Sequence, residues 1–252
     1  MIVMENKSYD AVVGSSRMPY LNSLFRLHTL LTNYTAVAHP SLPNYVALVG
    51  GNTFGIASDC QDCTVNARTI GDQLEARKLS WKAYMEDMQA PCQLTDSGTY
   101  TVTHNPFVYF EGLRGNTDRC AQHVVPFTEL GVDLQGAAPS FMWISPDICN
   151  DTHDCNLATG DQWLEETVPT ILESPAFSKN SLLVITYDEG YGDEGGGGQV
   201  ATLLISDLLP QSDEIDTAIN HYALLATIED LFGLPRLGKA ASATSLAPQF
   251  KR

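Results

Sequence analysis

"SLLVITYDEG", residues 181–190, decides the fold class, because an unbroken apolar run ends abruptly in two adjacent carboxylates, Asp188 and Glu189. Continuous apolar character, without alternating polar residues, predicts a strand that is buried on both faces. "MIVMEN", residues 1–6, repeats the design and ends in a glutamate and an asparagine. Since the carboxyl ends of parallel strands meet at one edge of a sheet, we expect these polar side chains to lie together where ligands bind.

Three further stretches predict strands: "SWKAYMED" (80–87), "PSFMWISPD" (139–147) and "ATLLIS" (201–206). Apolar residues with helical spacing predict four helices along the chain. The groups are Leu21, Leu24 and Phe25; Ile70 and Leu74; Trp163, Leu164, Val168, Ile171 and Leu172; and Tyr222, Leu225, Ile228 and Leu231. This alternation predicts an α/β fold with a mainly parallel central sheet and helices on both faces, an α/β/α sandwich. No Ser/Gly/Pro-rich linker divides the chain, so we expect one domain over residues 1–252.

The formal net charge is −16, from 14 basic and 30 acidic side chains, and no Lys/Arg cluster is present. This balance excludes nucleic-acid or anionic-membrane binding through a basic face. The sequence also has no apolar run long enough for integral membrane association. A phosphorylated substrate would be repelled unless a metal ion or protonated histidines supplied positive charge locally. No pattern indicates an oligomeric state.

Six cysteines fall into three pairs of sequence neighbours: Cys60 with Cys63, Cys92 with Cys120, and Cys149 with Cys155. Six cysteines allow fifteen connectivities, of which this one is only the most economical. "CQDC" also has zinc-ligand spacing, but no second motif completes a site, so disulfides in an oxidising compartment are favoured. We expect a secreted protein, extracellular or periplasmic, whose export signal is not part of this sequence, because "MIVM" is too short to be a signal-peptide core.

Glu5, Asn6, Asp188 and Glu189 present four oxygen-bearing side chains at two predicted strand ends. Either pair alone would be read as a solvated strand end. Together the anions would repel one another unless a cation lay between them. Oxygen ligands favour a hard divalent ion, so we expect Ca²⁺, Mg²⁺ or Mn²⁺.

"HPSLPNY", residues 39–45, places Ser41 between Pro40 and Pro43. A proline fixes its own φ and biases the preceding residue toward extended conformations, so Ser41 lies in a shaped turn. Such a turn suits a nucleophile. It equally suits a serine that caps the helix indicated by "NYVALVGG", residues 44–51, and on this stretch alone the cap is the simpler interpretation.

Four of the six histidines lie in polar, turn-rich or capping contexts: His39, His104, His153 and His221. Each alone fits a structural histidine, whereas four such positions together indicate a shared site. "GYGDEGGGG", residues 190–198, fits either a close backbone approach to a ligand or a mobile connection between two strands.

Six motifs in order resemble one known family: "MENKSYD", "HPSLPNY", "HNPF", "NDTHD", "ITYDEG" and "HYALLATIEDLFGLP". The family is that of phosphoesterases containing bacterial acid phosphatases and phosphatidylcholine-type phospholipases C, within the alkaline phosphatase-like superfamily. The resemblance covers residues 4–235 and implies an alkaline phosphatase-like fold.

The resemblance also implies roles at matching positions. The implied metal ligands are Glu5, Asn6, Ser41, Asp188 and Glu189. Ser41 would be the nucleophile that forms a phosphoserine, and Asn44 would contact a phosphoryl oxygen. The matching catalytic histidines are His39, His104, His153 and His221.

One departure from the family separates its branches. Phospholipase-like relatives usually carry an Asp-His pair and prolines shortly after "DEG", whereas this chain continues "YGDEGGGGQVATLLIS" with neither. We therefore expect a metal-dependent phosphomonoesterase for small phosphorylated substrates. A phospholipase C or another phosphodiesterase is the first alternative. A non-catalytic phosphate-ester binding protein is the second, although Ser41 and all four oxygen ligands argue against it.

Overall fold

A computed structural model describes residues 1–250 as an eight-stranded sheet with a separate two-stranded pair and surrounding helices. The strands are β1 (Ile2–Met4), β2 (Thr29–Leu31), β3 (Tyr34–Thr35), β4 (Trp81–Met85), β5 (Val124–Pro126), β6 (Phe141–Ser145), β7 (Leu183–Tyr187), β8 (Thr202–Ile205), β9 (Glu214–Ile215) and β10 (Ile219–Asn220).

The α-helices are α1 (Tyr9–Val12), α2 (Pro19–Leu27), α3 (Ser41–Gly50), α4 (Ile70–Ala76), α5 (Glu111–Arg114), α6 (Thr117–His123), α7 (Leu130–Gln135), α8 (Leu157–Leu172) and α9 (His221–Phe232). Short 3₁₀ helices span Val102–His104, Pro106–Tyr109, Phe127–Glu129, Glu194–Gly196, Gly238–Ser242 and Ala247–Gln249.

The large sheet has the order β5-β4-β6-β1-β7-β8-β2-β9. Pairing is parallel throughout except around β8, which runs antiparallel to both β7 and β2. The predicted mainly parallel sheet is therefore confirmed, and β8 makes it mixed. Strands β3 and β10 form the separate parallel pair.

Both faces of the sheet are covered, because every residue of β1, β7 and β8 is buried although alternate side chains point to opposite faces. Helix α2 packs against α8, and α3 packs against α9. This confirms the predicted α/β/α arrangement.

The five predicted strands correspond to β1, β4, β6, β7 and β8, and the predicted helices to α2, α3, α4, α8 and α9. The sequence did not indicate β2, β3, β5, β9 and β10. These strands have only two or three residues, too few for a recognisable period.

The register of β1 and β7 places their carboxyl ends side by side. Met4 pairs with Tyr187, and the carbonyl of Met4 accepts a 2.9 Å hydrogen bond from the backbone N–H of Asp188. On the other side of β1, the backbone N–H of Glu5 donates to the carbonyl of Asp151, at 2.8 Å. The chain segments that follow β1, β6 and β7 therefore converge.

Helix α3 begins at Ser41, and the Ser41 side chain does not cap it. The backbone N–H of Leu42 instead donates to Asp59 Oδ1 at 2.9 Å. The capping interpretation of Ser41 is therefore wrong: an acid from a separate loop satisfies the helix end and leaves the serine hydroxyl for other partners. The helix ends at Gly50 and is capped by Gly51, whose φ of 73° suits glycine.

The glycine-rich segment 190–198 packs closely against residues 35–38. A Cβ added at Gly197 would lie 2.4 Å from the Ala38 carbonyl oxygen, and Gly195 has a φ of 68° beside Thr35. Larger residues would force the two segments apart. The segment connects β7 and β8 and packs as a support for the chain that leads to Ser41.

All six cysteines form disulfides, in the pairs Cys60–Cys63, Cys92–Cys120 and Cys149–Cys155. The neighbour pairing is confirmed, and the zinc interpretation of "CQDC" is wrong because no thiolate is left. Across residues 1–250, none of the helices combines the length and the apolar character needed to cross a bilayer.

Candidate active site

Ser41 lies beside carboxylates that come from two different strand ends. Its hydroxyl oxygen is 3.0 Å from Glu5 Oε2 and 3.3 Å from Glu189 Oε1. Both carboxylates are buried, and so is the serine. A hydroxyl has one proton to donate, so either carboxylate can accept it.

Asp188 and Asn6 adjoin this group. The backbone N–H of Asn6 donates to Asp188 Oδ1 at 2.9 Å, in a left-handed turn where Asn6 has a φ of 55°. Asp188 is fully buried. The structure therefore brings Glu5, Asn6, Ser41, Asp188 and Glu189 to one edge of the sheet.

Crowding of these acids perturbs their ionisation. Burial raises the pKa of Glu5 well above its usual value, and the charges of Asp188 and Asp151 raise it further. Burial likewise raises the pKa of Asp188 well above normal, with Glu189 adding to the effect. The ionised forms of this cluster are thus unfavourable without a nearby positive charge.

Two carboxylate oxygens of the cluster lack hydrogen-bond partners in the described part of the chain: Glu5 Oε1 and Asp188 Oδ2. Each is buried, and leaving a buried carboxylate oxygen without a partner is unfavourable. A cation would satisfy both oxygens and offset the repulsion between the acids. The donor set therefore fits a hard divalent ion.

Glu5, His104 and Asp151 form a second group of possible ligands around the same glutamate, with one ligand atom from each within 4.8 Å of the others. His104 Nε2 is 3.3 Å from Glu5 Oε1, and His104 Nδ1 is 3.0 Å from Asp151 Oδ2. This group adds a nitrogen donor. The chemistry of the buried cluster fits a metal ion without fixing which one.

Asp151 and Tyr45 belong to the site although the sequence analysis did not select them. The Tyr45 ring stacks on His104, with centroids 5.3 Å apart and planes 3° from parallel. Its hydroxyl is buried beside Glu5, and burial together with the Glu5 charge raises the pKa of Tyr45 well above its usual value. Both residues lie inside recognised motifs, "NDTHD" and "HPSLPNY", which was the available signal.

His39 lies at the rim of the cluster, with 37% of its side chain exposed. Its Nδ1 contacts Glu189 Oε2, and its Nε2 is 2.9 Å from the carbonyl oxygen of Gly192. Burial lowers the pKa of His39, but the bonds to Gly192 and Glu189 raise it above its usual value overall. With an acceptor at each ring nitrogen, the doubly protonated cation is favoured.

His153 is the second rim histidine, with 41% of its side chain exposed. Its ring centroid is 5.8 Å from that of His104, and its Nδ1 is 2.7 Å from Asp154 Oδ1. Its backbone N–H donates to Asp151 Oδ1 at 2.7 Å. His153 thus lies in the turn after β6, beside the buried residues His104 and Asp151.

His221 lies behind the cluster. It is fully buried, and burial lowers its pKa to about 4, so the ring is neutral at ordinary pH. Its Nε2 is 2.5 Å from the carbonyl oxygen of Asp188, and its Nδ1 is 2.8 Å from Tyr34 Oη. The ring therefore donates to the Asp188 backbone, accepts from the tyrosine hydroxyl, and has no ring nitrogen free for a substrate.

Asn44 directs its side chain to the backbone before Ser41. Its Oδ1 accepts from the N–H groups of Val37 and Ala38, and its Nδ2 donates to the carbonyls of Ala38 and Pro40. These four bonds use the full capacity of the amide. In this structure the Asn44 amide holds the turn and has no hydrogen-bonding position left for a phosphoryl oxygen.

A cavity of about 770 Å³ lies away from this cluster. It is lined by residues at the beginnings of β6 and β7, including Phe141 and Leu183, and by Met1 ahead of β1. None of the candidate site residues lines it. The cavity and the carboxylate cluster thus occupy opposite edges of the sheet.

A model of the Phosphoesterase family matches residues 15–235. The chain belongs to the Phosphoesterase family. This match includes Ser41, all six histidines and the Asp188–Glu189 pair, whereas Glu5 and Asn6 precede it.

Three relatives extend the similarity over nearly the whole chain. The phosphate-repressible acid phosphatase of Penicillium chrysogenum is 34% identical over 94% of this chain and 59% of its own length. The acid phosphatase of Aspergillus fumigatus is 31% identical over 94% of this chain and 55% of its length. The phosphatidylinositol-3-phosphatase of Mycobacterium tuberculosis is 31% identical over 96% of this chain and 79% of its own length. This phosphoesterase chain thus spans little more than half the length of the two fungal relatives.

Solved structures confirm the fold. An alkaline phosphatase superfamily protein from Vibrio parahaemolyticus matches with a TM-score of 0.64 and 13% identity, over 95% of this chain and 68% of that one. A putative sulfatase from Bacteroides thetaiotaomicron matches with a TM-score of 0.68 and 12% identity, over 99% of this chain and 74% of that one. This phosphoesterase therefore has the alkaline phosphatase-like fold that the motifs implied.

Proposed function

We propose that this chain is a metal-dependent phosphomonoesterase in which Ser41 is the nucleophile and a phosphoserine is the intermediate. The observation that carries the proposal is the position of Ser41 Oγ at the start of α3, within hydrogen-bond distance of Glu5 and Glu189. Unpaired buried oxygens of Glu5 and Asp188 adjoin it. We further propose that residues 1–252 form one catalytic domain, which the continuous core from Met1 to Phe250 supports.

The residues that would hold the metal are Glu5, Asn6, Ser41, Asp188 and Glu189. Their oxygen donors favour Ca²⁺, Mg²⁺ or Mn²⁺. A divalent ion bound there would favour the ionised serine hydroxyl and offset the charge of the phosphoryl oxygens.

Ser41 begins the reaction when its hydroxyl proton passes to the carboxylate of Glu5 or Glu189, each already within hydrogen-bond distance. Oγ then forms a bond to phosphorus as the bond to the leaving alkoxide breaks. The alkoxide takes a proton from the rim histidine His153, whose Nδ1 contacts Asp154 Oδ1 and whose Nε2 has no hydrogen bond within residues 1–250. His39, with both ring nitrogens engaged, holds Glu189 in place.

The second step returns the enzyme to its starting state. A water molecule gives its proton to His153 and attacks the phosphoserine. The bond between Ser41 Oγ and phosphorus breaks as Oγ takes its proton back from the Glu5 or Glu189 carboxyl. Two in-line displacements give net retention at phosphorus. Three further residues position the reacting groups without contacting the substrate. His104 contacts Glu5, His221 holds the Asp188 backbone, and Asn44 holds the turn before Ser41.

The relatives support phosphate monoesters as the substrate class, since acid phosphatases and a phosphatidylinositol-3-phosphatase are among them. The absence of the Asp-His pair after "DEG" supports the same choice over phospholipase C. Three disulfides support a secreted location, extracellular or periplasmic.

Product analysis with and without metal tests this function. We expect inorganic phosphate from glycerol 2-phosphate, loss of that activity in excess chelator, and recovery with Mg²⁺, Mn²⁺ or Ca²⁺. Diglyceride release from phosphatidylcholine at a higher rate would favour the phospholipase C alternative. Phosphate-ester binding without turnover in any of the three metals would favour the binding-protein alternative. Full activity in protein shown by elemental analysis to be metal-free would exclude the metal.

A further inference from the structure

Tyr191 is an exposed aromatic residue next to the site. Its side chain is 72% exposed, and it is the one aromatic among the large exposed apolar residues of the described chain. Its backbone is fixed, because its N–H donates to Ser8 Oγ at 2.8 Å and the neighbouring Gly190 N–H donates to the Gly197 carbonyl at 2.8 Å. The ring is thus presented to solvent on an anchored segment that begins at Glu189.

Lys7 lies beside this ring. Its Nζ is 5.9 Å from the Tyr191 ring centroid and donates to the Thr152 carbonyl at 2.7 Å. Lys7 follows Glu5 by two residues in the "MENKSYD" motif, in a chain with only 14 basic residues against 30 acidic ones. The Lys7 ammonium is therefore held near the buried carboxylates by this backbone contact.

Both residues adjoin the chain segments that carry the rim histidines. Thr152, which binds Lys7, directly precedes His153. Tyr191 lies between Glu189 and Gly192, both of which contact His39. These contacts connect Lys7 and Tyr191 to the chain segments that carry His153 and His39.

We propose that Lys7 and Tyr191 form the leaving-group subsite and that Tyr191 selects phosphomonoesters whose leaving group is a planar aromatic ring. This inference rests on the proposed phosphomonoesterase function. An aromatic leaving group stacks on the exposed tyrosine face, whereas a small aliphatic one gains nothing from it. The Lys7 ammonium attracts the phosphate dianion, which every monoester carries, so Lys7 raises affinity without discriminating.

The test compares kcat/KM for phenyl phosphate with kcat/KM for glycerol 2-phosphate in one metal-loaded preparation. We expect Tyr191→Ala to lower the phenyl-to-glycerol ratio about three- to tenfold, the range given by one aromatic stack. Tyr191→Phe keeps the ring and should keep the ratio. Lys7→Met should lower both values together. Val132→Ala, at an exposed residue of α7, serves as the matched control and should leave the ratio unchanged.

An unchanged ratio in Tyr191→Ala would overturn the subsite. An equal fall in Tyr191→Ala and Tyr191→Phe would overturn it as well, because the hydroxyl rather than the ring would then matter. If the wild type hydrolyses neither ester, the proposed function fails, and calorimetric binding of phenylphosphonate decides the subsite separately. Binding about threefold or more weaker in Tyr191→Ala would support it, and equal binding would overturn it.

Discussion

Ser41 Oγ lies 3.0 Å from Glu5 Oε2, although the two residues are 36 positions apart and belong to different elements. Glu5 is fixed by the sheet, because it follows β1 between the parallel neighbours β6 and β7. Ser41 is fixed by the start of α3 and by the packed segment before it. Ser41, the proposed nucleophile, and the Glu5 carboxylate are thus each held by regular structure, which favours a preorganised site.

Asn44→Ala should loosen the turn that presents Ser41. Loss of four side-chain hydrogen bonds to the backbone should lower the free energy of unfolding by about 2–4 kcal/mol and reduce kcat, with KM changing less. Denaturant unfolding and steady-state kinetics measure both effects. Asn22→Ala, which also removes buried side-chain bonds to backbone, is the matched control and should lower stability without lowering kcat. A raised KM with unchanged stability would instead support direct contact between Asn44 and the substrate.

The sequence predicted the part of the site that depends on the sheet. Glu5, Asn6, Asp188 and Glu189 follow strongly apolar strands, so their convergence followed from parallel pairing alone. Contacts made by loops were not predictable in this way. Asp151 reaches His104 through a turn in which Thr152 has a φ of 79°, a local conformation that neither hydrophobic period nor composition indicates.

Loop conformation also determines the contacts of Lys7 and Tyr191, so the sequence analysis did not select these two residues. Lys7 and Tyr191 are 184 positions apart and meet only because their loops follow neighbouring strands, which is visible once the register of β1 and β7 is known. Asn44 and His221 were found by motif, but a motif does not identify their hydrogen-bond partners, which are backbone groups for Asn44 and the Asp188 carbonyl and Tyr34 hydroxyl for His221. The sequence therefore predicted which residues belong to the candidate site better than it predicted how their side chains are oriented.

His221→Ala should weaken metal binding about 10- to 100-fold, because the Asp188 backbone would lose its donor and the carboxylate its fixed position. Tyr34→Phe should have a smaller effect, since the ring of His221 remains. Titration of metal-free protein with Mn²⁺, followed by calorimetry, measures the affinity. His123→Ala, at a histidine that stacks on Trp81, is the control and should bind normally. Lost turnover with unchanged metal affinity would point to a direct chemical role for His221.

Denatured, unreduced protein should contain essentially no titratable thiol, because all six cysteines are paired. Replacing both Cys92 and Cys120 by alanine should lower the free energy of unfolding by about 3–4 kcal/mol, since this disulfide spans 28 positions. Thiol titration and denaturant unfolding provide the two measurements. Six free thiols in protein isolated without reductant would contradict the assignment to an oxidising compartment.

Stability should fall as the pH rises from about 4.5 to 7, because burial raises the pKa of Glu229 to about 7 from an ordinary value of 4.5. In this window the folded state binds more protons than the unfolded state. The stabilising contribution is complete below about pH 4.5 and is lost as the pH passes through 7, by up to about 3 kcal/mol. Burial outweighs the hydrogen bonds from the Leu237 backbone and the Gln73 side chain, which lower the pKa of Glu229.

Glu229→Gln should therefore narrow the difference in unfolding midpoint between pH 5 and pH 8. The control Glu165→Gln, at an exposed position of α8, should keep the wild-type difference. Equal differences in wild type and Glu229→Gln would show that other groups govern the pH dependence.

The central claim is that Ser41 carries the phosphoryl group. Rapid acid quenching during turnover of a phosphorylated substrate, followed by peptide mass analysis, tests it most directly. We expect one phosphate on the peptide that contains "HPSLPNY", and none in Ser41→Ala, whose turnover should fall by several orders of magnitude while metal still binds. An unlabelled peptide in the wild type, together with near-normal turnover in Ser41→Ala, would contradict the phosphoserine mechanism and leave direct attack by water.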